Sequence, residues 1–253
     1  MDEFTRHPLL VFILSLAVFW FFAWLGAALI RRRGAMAEAA REDFAVILAA
    51  SLTLLALIIG FTFSMAISRY DLRKNYEEAE ANAIGTEYVR ADYLPVDDAK
   101  LTRHLLVEYT ELRLTFYIDH NYADRELIDT KTEQTQTALW SAIKGPTATT
   151  PTPIMALVAS GMNDVLNSQG YTQAAWRNRI PKAAWAFLLL ISALCNLMVG
   201  YGARDLRPRS ILLLVLPLVL AISLFLIADI DSPNAGIIRV SPQNLQGLAQ
   251  SFK

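Results

Sequence analysis

The chain has 253 residues with 23 Lys and Arg against 24 Asp and Glu, a formal net charge of −1, so bulk electrostatics give no support to nucleic-acid binding. It is 54% hydrophobic with a mean hydropathy of +0.33, which favours a membrane protein over a soluble one. Its one cysteine, Cys195, excludes an intrachain disulfide and carries no redox motif.

In chain order, four stretches lack charged residues and approach the ~20 residues that span a bilayer: 8–30, 44–67, 183–201 and 211–228. The first could also serve as a signal peptide, since Ala35-Met36-Ala37 has the small-x-small form. Its apolar core is too long for that, and Arg31-Arg32-Arg33 follows it as a stop-transfer signal does. It reads as a retained helix. The expected organisation is all-α and multi-pass: a transmembrane hairpin over 1–67, a helical aqueous domain over 68–182, a second hairpin over 183–230, and a tail over 231–253.

The second span has no stop. From Phe44 to Ala91 the only helix-disfavouring residues are Gly60 and Gly85, each costing roughly 1 kcal/mol relative to Ala. A single helix over that length is about 70 Å long, against a hydrocarbon core of about 30 Å. In its membrane half Thr53, Leu57 and Phe61 recur at four-residue steps. If several copies surround an axis, that face forms stacked rings, and apolar rings gate pores by dewetting. The alternative is that the face packs on the other three spans. In the aqueous half Ala79, Ala81, Ala83 and Gly85 permit close helix packing. The acid run Glu77, Glu78, Glu80 reads as a solvated face, weakly paired to Arg73 and Lys74.

Within the aqueous region, Leu101, Leu105, Tyr109, Leu112 and Phe116 define an apolar helix face. Asp97 or Asp98 is the expected N-cap. A second helix is expected over 123–144, then a loop over "GPTATTPTP" (145–153), then a third helix ending at Gly170. His104, Glu108 and Glu111 share one helical face with metal-ligand spacing. No Glu-x-x-His pair accompanies them, so they read as surface residues.

Trp176 and Trp185 flank Arg177, Arg179 and Lys182 at the mouth of the third span, a composition suited to lipid headgroups. Pro181 suits that helix's first turn. Mid-span, Asn196 is expected to bond a neighbouring helix. Basic residues divide almost evenly between the hairpin loops (Arg31, Arg32, Arg33, Arg41, Arg204, Arg207, Arg209) and the opposite side (Arg69, Arg73, Lys74, Arg177, Arg179, Lys182). The triple arginine slightly favours cytoplasmic hairpin loops.

At "GFTFSMAISRYDLRKNYEEA" the chain resembles the bestrophin family, which carries Gly-Phe in the second span, then Ser/Thr-Arg-aromatic. The matching positions are Gly60, Phe61, Ser68, Arg69 and Tyr70. "EEAEANAIGTEYVRADYLP", "SGMNDVLNSQGYTQAAW" and "FLIADIDSP" are more closely similar to the bacterial bestrophin-like domain family. The resemblance implies a homopentamer with Thr53, Leu57 and Phe61 in a narrow neck. Bestrophins have an apolar residue at the Thr53 position, so that ring is less apolar here. It also implies a cytoplasmic aqueous domain, against the charge preference. Animal bestrophins are calcium-gated by an acidic cluster after the last span. Here only Asp229, Asp231 and Asn234 stand there, too few for an ion taking six to eight oxygens, and they read instead as a helix end and turn.

No Gly-x-Ser-x-Gly, P-loop or His-Glu-x-x-His is present, so no enzyme, cofactor or committed metal site is expected. Arg69 is either a snorkelling anchor or packing cation, or an attractor of anions at the pore mouth. The expected function is passive conduction of small inorganic ions by a homo-oligomer in a bacterial inner (plasma) membrane. The alternative is a membrane-anchored scaffold whose aqueous domain binds a partner.

Overall fold

The computed structural model describes residues 7–33, 38–119, 122–203, 211–233 and 235–253. Eight α-helices are described: α1 (Pro8–Arg33), α2 (Glu38–Arg90), α3 (Val96–Ile118), α4 (Tyr122–Thr149), α5 (Pro153–Arg177), α6 (Lys182–Gly202), α7 (Val215–Asp231) and α8 (Gln243–Ser251). No strand is present among the described residues. Four helical stretches are long and apolar enough to cross a membrane. The second of them, α2, runs unbroken for 53 residues, as the lack of breakers predicts, and closes in a 3-10 turn over Ala91–Tyr93.

The chain divides into two compact units, one of Met1–Arg69 with Arg179–Arg239 and one of Tyr70–Asn178 with Val240–Lys253. In the first, α1 crosses α6 through glycine. A Cβ on Gly26 would lie 2.1 Å from the Leu197 carbonyl oxygen, and one on Gly200 would lie 1.9 Å from that of Ala23. Such backbone contact is the usual basis of helix association in lipid, where burying apolar surface gives no drive. Phe12 of α1 meets Phe225 of α7 edge-on at 6.2 Å. Asn196 does not bond a neighbouring helix. Its amide donates at 2.8 Å to the Ser192 carbonyl one turn back, the local acceptor a mid-helix asparagine always has in reach.

In the second unit α3 packs on α4 and α8, and α4 on α5. Several sequence expectations are corrected here. The helix α3 starts at Val96 after Pro95, so Asp97 and Asp98 lie in its first turn rather than at the cap, still at the positive end of the helix. Its buried face is Thr102, Leu106, Tyr109, Thr110, Arg113, Phe116 and Tyr117, while Leu101 is 49% exposed. Polar residues on the inner side hid the true register. The helix α4 runs through Pro146 to Thr149, so most of the expected loop is helical. Around that proline the Thr147 and Thr149 hydroxyls donate to the Ile143 and Gly145 carbonyls. The helix α5 starts under a Thr152 cap and passes Gly170 to reach Arg177. Buried Gln169, Thr172 and Trp176 on its inner side outweigh the roughly 1 kcal/mol that Gly170 costs.

The acid run of α2 is not a solvated face. Arg73, Glu77, Glu80, Ile84, Glu87 and Ala91 recur at alternating four- and three-residue steps, and all are buried. Only Glu78 of the three run members is exposed. Each buried carboxylate of the run has specific donors, which is what permits its burial. Glu80 accepts from Arg113 Nε and, at 3.1 Å, from the Thr172 hydroxyl. Glu77 accepts from Leu245 N at 2.9 Å and Asn244 Nδ2 at 2.7 Å, a negative charge set at the N-terminus of α8. Leu245 is fully buried, and Phe252 stacks on Tyr88 at 4.3 Å. The last residues thus form part of the second unit's core.

Candidate functional site: an exposed helix face and a buried acidic turn

In the membrane half of α2, Leu55, Thr62 and Ala66 are buried, and Thr62 returns its hydroxyl to the Ile58 carbonyl at 2.8 Å. Thr53, Leu57 and Phe61 lie on a different face. Leu57 is 53% exposed and Phe61 66%, and Thr53, also exposed, bonds its own Ala49 carbonyl at 2.9 Å. Between them, a Cβ on Gly60 would meet nothing within 4 Å.

At the end of α7, two aspartates are buried for different purposes. Asp231 has no exposed side-chain surface and accepts from Ile180 N on both oxygens at 3.2 Å. Arg69 lies 3.5 Å from Oδ1 and Arg179 lies 3.6 Å from Oδ2. One negative charge is therefore faced by two cations that approach the start of α6 and the end of the α2 span. Asp229 instead closes the turn that follows. Its Oδ1 accepts from Ile237 N at 2.7 Å and its Oδ2 from Ile238 N at 2.8 Å. Gly236 fits beneath it, since a Cβ there would lie 2.4 Å from the Asp229 carbonyl oxygen. Asn234 lies outside the described residues.

The structure brings Arg69 and Asp231 together, and adds Arg179 and the Ile180 amide, which sequence reasoning did not connect to them. Thr53, Leu57 and Phe61 share a separate surface. His104, Glu108 and Glu111 are all exposed. Among the described residues no group of three or more His, Cys, Asp or Glu is placed to hold a metal ion.

Two charged residues of the second unit also went unnoticed in the sequence. Arg113 is fully buried against Phe116, 4.4 Å from the ring centre. Burial works against its charge, but the Glu80 carboxylate more than offsets this and holds the guanidinium protonated. Glu87 is fully buried with no hydrogen bond to either oxygen, and burial raises its pKa to about 8, with Arg90 opposing and Asp164 adding to the rise. The alternating four- and three-residue register of α2 was the signal that could have revealed this buried stripe.

The family model of the bestrophin-like domain matches residues 13–245. No curated protein matches the sequence. Three crystal structures of point mutants of a bacterial bestrophin homologue from Klebsiella pneumoniae share the fold. One superposes with a TM-score of 0.67 at 13% identity, covering 95% of this chain and 93% of the other. A second gives 0.66 at 15% identity over 95% of each chain. A third gives 0.67 at 12% identity, covering 96% and 97%. With the family matched over nearly its whole length and the fold shared end to end, this chain belongs to the bestrophin-like domain family.

Proposed function

We propose that the protein is an oligomeric channel that conducts small inorganic ions passively through an axial pore, with Thr53, Leu57 and Phe61 of α2 ringing its neck. The observation that carries this reading is the exposure of Leu57 and Phe61 on a span whose apolar window is only 6% buried by its own chain, against 28–39% for the other three. A helix with so little cover from its own chain is free to face an axis. Rings of leucine and phenylalanine cannot replace an ion's hydration shell, so they set a closed state without a moving plug. A homopentamer in the bacterial inner membrane is the assembly that the family suggests.

The test is particle imaging of the purified protein together with ion flux from liposomes. A closed ring of five that releases trapped ions supports the channel. A monomer or dimer without flux leaves a membrane-anchored scaffold as the better reading.

A further inference from the structure

The last carboxylate of the buried stripe, Glu87, is unlike the others. Glu77 and Glu80 each accept from two donors, whereas neither oxygen of Glu87 has a hydrogen-bond partner although its side chain is fully buried. The reason for the burial is Gly161 of α5. A Cβ there would lie 2.1 Å from Glu87 Oε2 and 2.3 Å from Arg90 Nη1, so only glycine leaves room for this pair. Two charged groups act on the carboxyl, Arg90 from α2 and Asp164 from α5. Arg90 stands 3.9 Å away, one turn on, and donates instead to the Leu157 carbonyl of α5 at 3.3 Å. Asp164 is exposed.

An ionised carboxylate without donors in such a place is costly, and a neutral one much less so. The nearest cation is already engaged in tying α2 to α5. We propose that Glu87 is a proton-operated latch: protonated, it lies neutral over Gly161 while Arg90 holds the Leu157 carbonyl, and on releasing its proton to solvent it draws Arg90 away and loosens α2 from α5. The two states differ by one proton and by the partner of one guanidinium. Gly161 makes the site and Arg90 is its moving part.

The sign follows from linkage. The folded chain holds this proton up to about pH 8, whereas an unfolded glutamate loses it near 4.5. Over that window the folded state binds more protons, so stability falls as pH rises and levels off above it.

The experiment melts the full-length protein in detergent across this pH window and follows amide exchange in residues 157–164, corrected for intrinsic rates. Wild type should lose melting temperature toward pH 8 while exchange in that segment quickens. Glu87→Gln should flatten both responses. Two milder variants separate the latch from a general pH effect. Asp164→Asn removes a like charge and should move the midpoint to lower pH. Arg90→Gln should move the melting midpoint to higher pH and, lacking the part that moves, should remove the pH response of exchange in residues 157–164. The same fall in Glu87→Gln as in wild type overturns the proposal. Should Glu87→Gln fail to fold, Asp164→Asn and Arg90→Gln still decide, and an unmoved midpoint in both overturns it equally.

Discussion

A carboxylate taken out of water must be met by donors, and the aspartates ending α7 are met at every oxygen. The Ile180 amide and two arginines serve Asp231, and the Ile237 and Ile238 amides serve Asp229. Replacing Asp231 by alanine strands the buried Ile180 amide and takes a partner from two partly exposed arginines, and losing hydrogen bonds to a charged group costs about 1.5–3 kcal/mol. A lower melting temperature in Asp231→Ala is the expected outcome, and an unchanged one would show the cluster to be solvated. Because these oxygens are already engaged, millimolar Ca²⁺ should not raise the melting temperature of the wild type. A rise abolished by Asp231→Ala would contradict that. The sequence marked the Asp-Ser-Pro turn correctly as a place where a helix ends. It did not indicate Ile180, because a backbone donor 51 residues away leaves no local pattern.

At the scale of the element, register decides what composition cannot. A run of glutamates beside arginine and lysine looks solvated when counted, yet its alternating four- and three-residue spacing puts Glu77 and Glu80 inward with Arg73. On α3 the apolar reading found Tyr109 and Phe116 but passed over Arg113 and two threonines, which occupy buried positions of the same helix. The length of α2 was legible because nothing in its sequence breaks a helix. The continuation of α4 through Pro146 was not, since proline is read locally and the threonine hydroxyls around it are not. The Glu80–Arg113 pair gives a direct check. Arg113→Met alone should cost about 3–5 kcal/mol by stranding Glu80, and adding Glu80→Gln should return part of that loss. A double-mutant cycle on thermal unfolding measures the difference, and strictly additive losses would mean that the two do not interact. The α1–α6 crossing gives another. A methyl group at position 200 would press on the Ala23 carbonyl, so Gly200→Ala should destabilise the protein by about 1–3 kcal/mol, whereas Gly60→Ala, in open space, should not.

For the whole molecule, the shared bestrophin fold and the family match turn an exposed apolar helix face into a question about pores. The topology was legible from four uncharged runs of spanning length. Which face of α2 is left uncovered was not, because Leu55 and Leu57 are equally apolar and only packing separates them: 2% against 53% exposed. The most direct measurement records current in reconstituted bilayers and melting temperature on one preparation of the Leu57→Ala/Phe61→Ala double variant. If the two side chains ring the neck, trimming them wets the passage. Leak current should then rise several-fold over wild type while the oligomer keeps its size and melts within a few degrees of wild type. If the face is instead covered by packing within the assembly, the phenylalanine alone leaves a cavity costing about 3–5 kcal/mol. An unchanged current with a clearly lower melting temperature would contradict the pore.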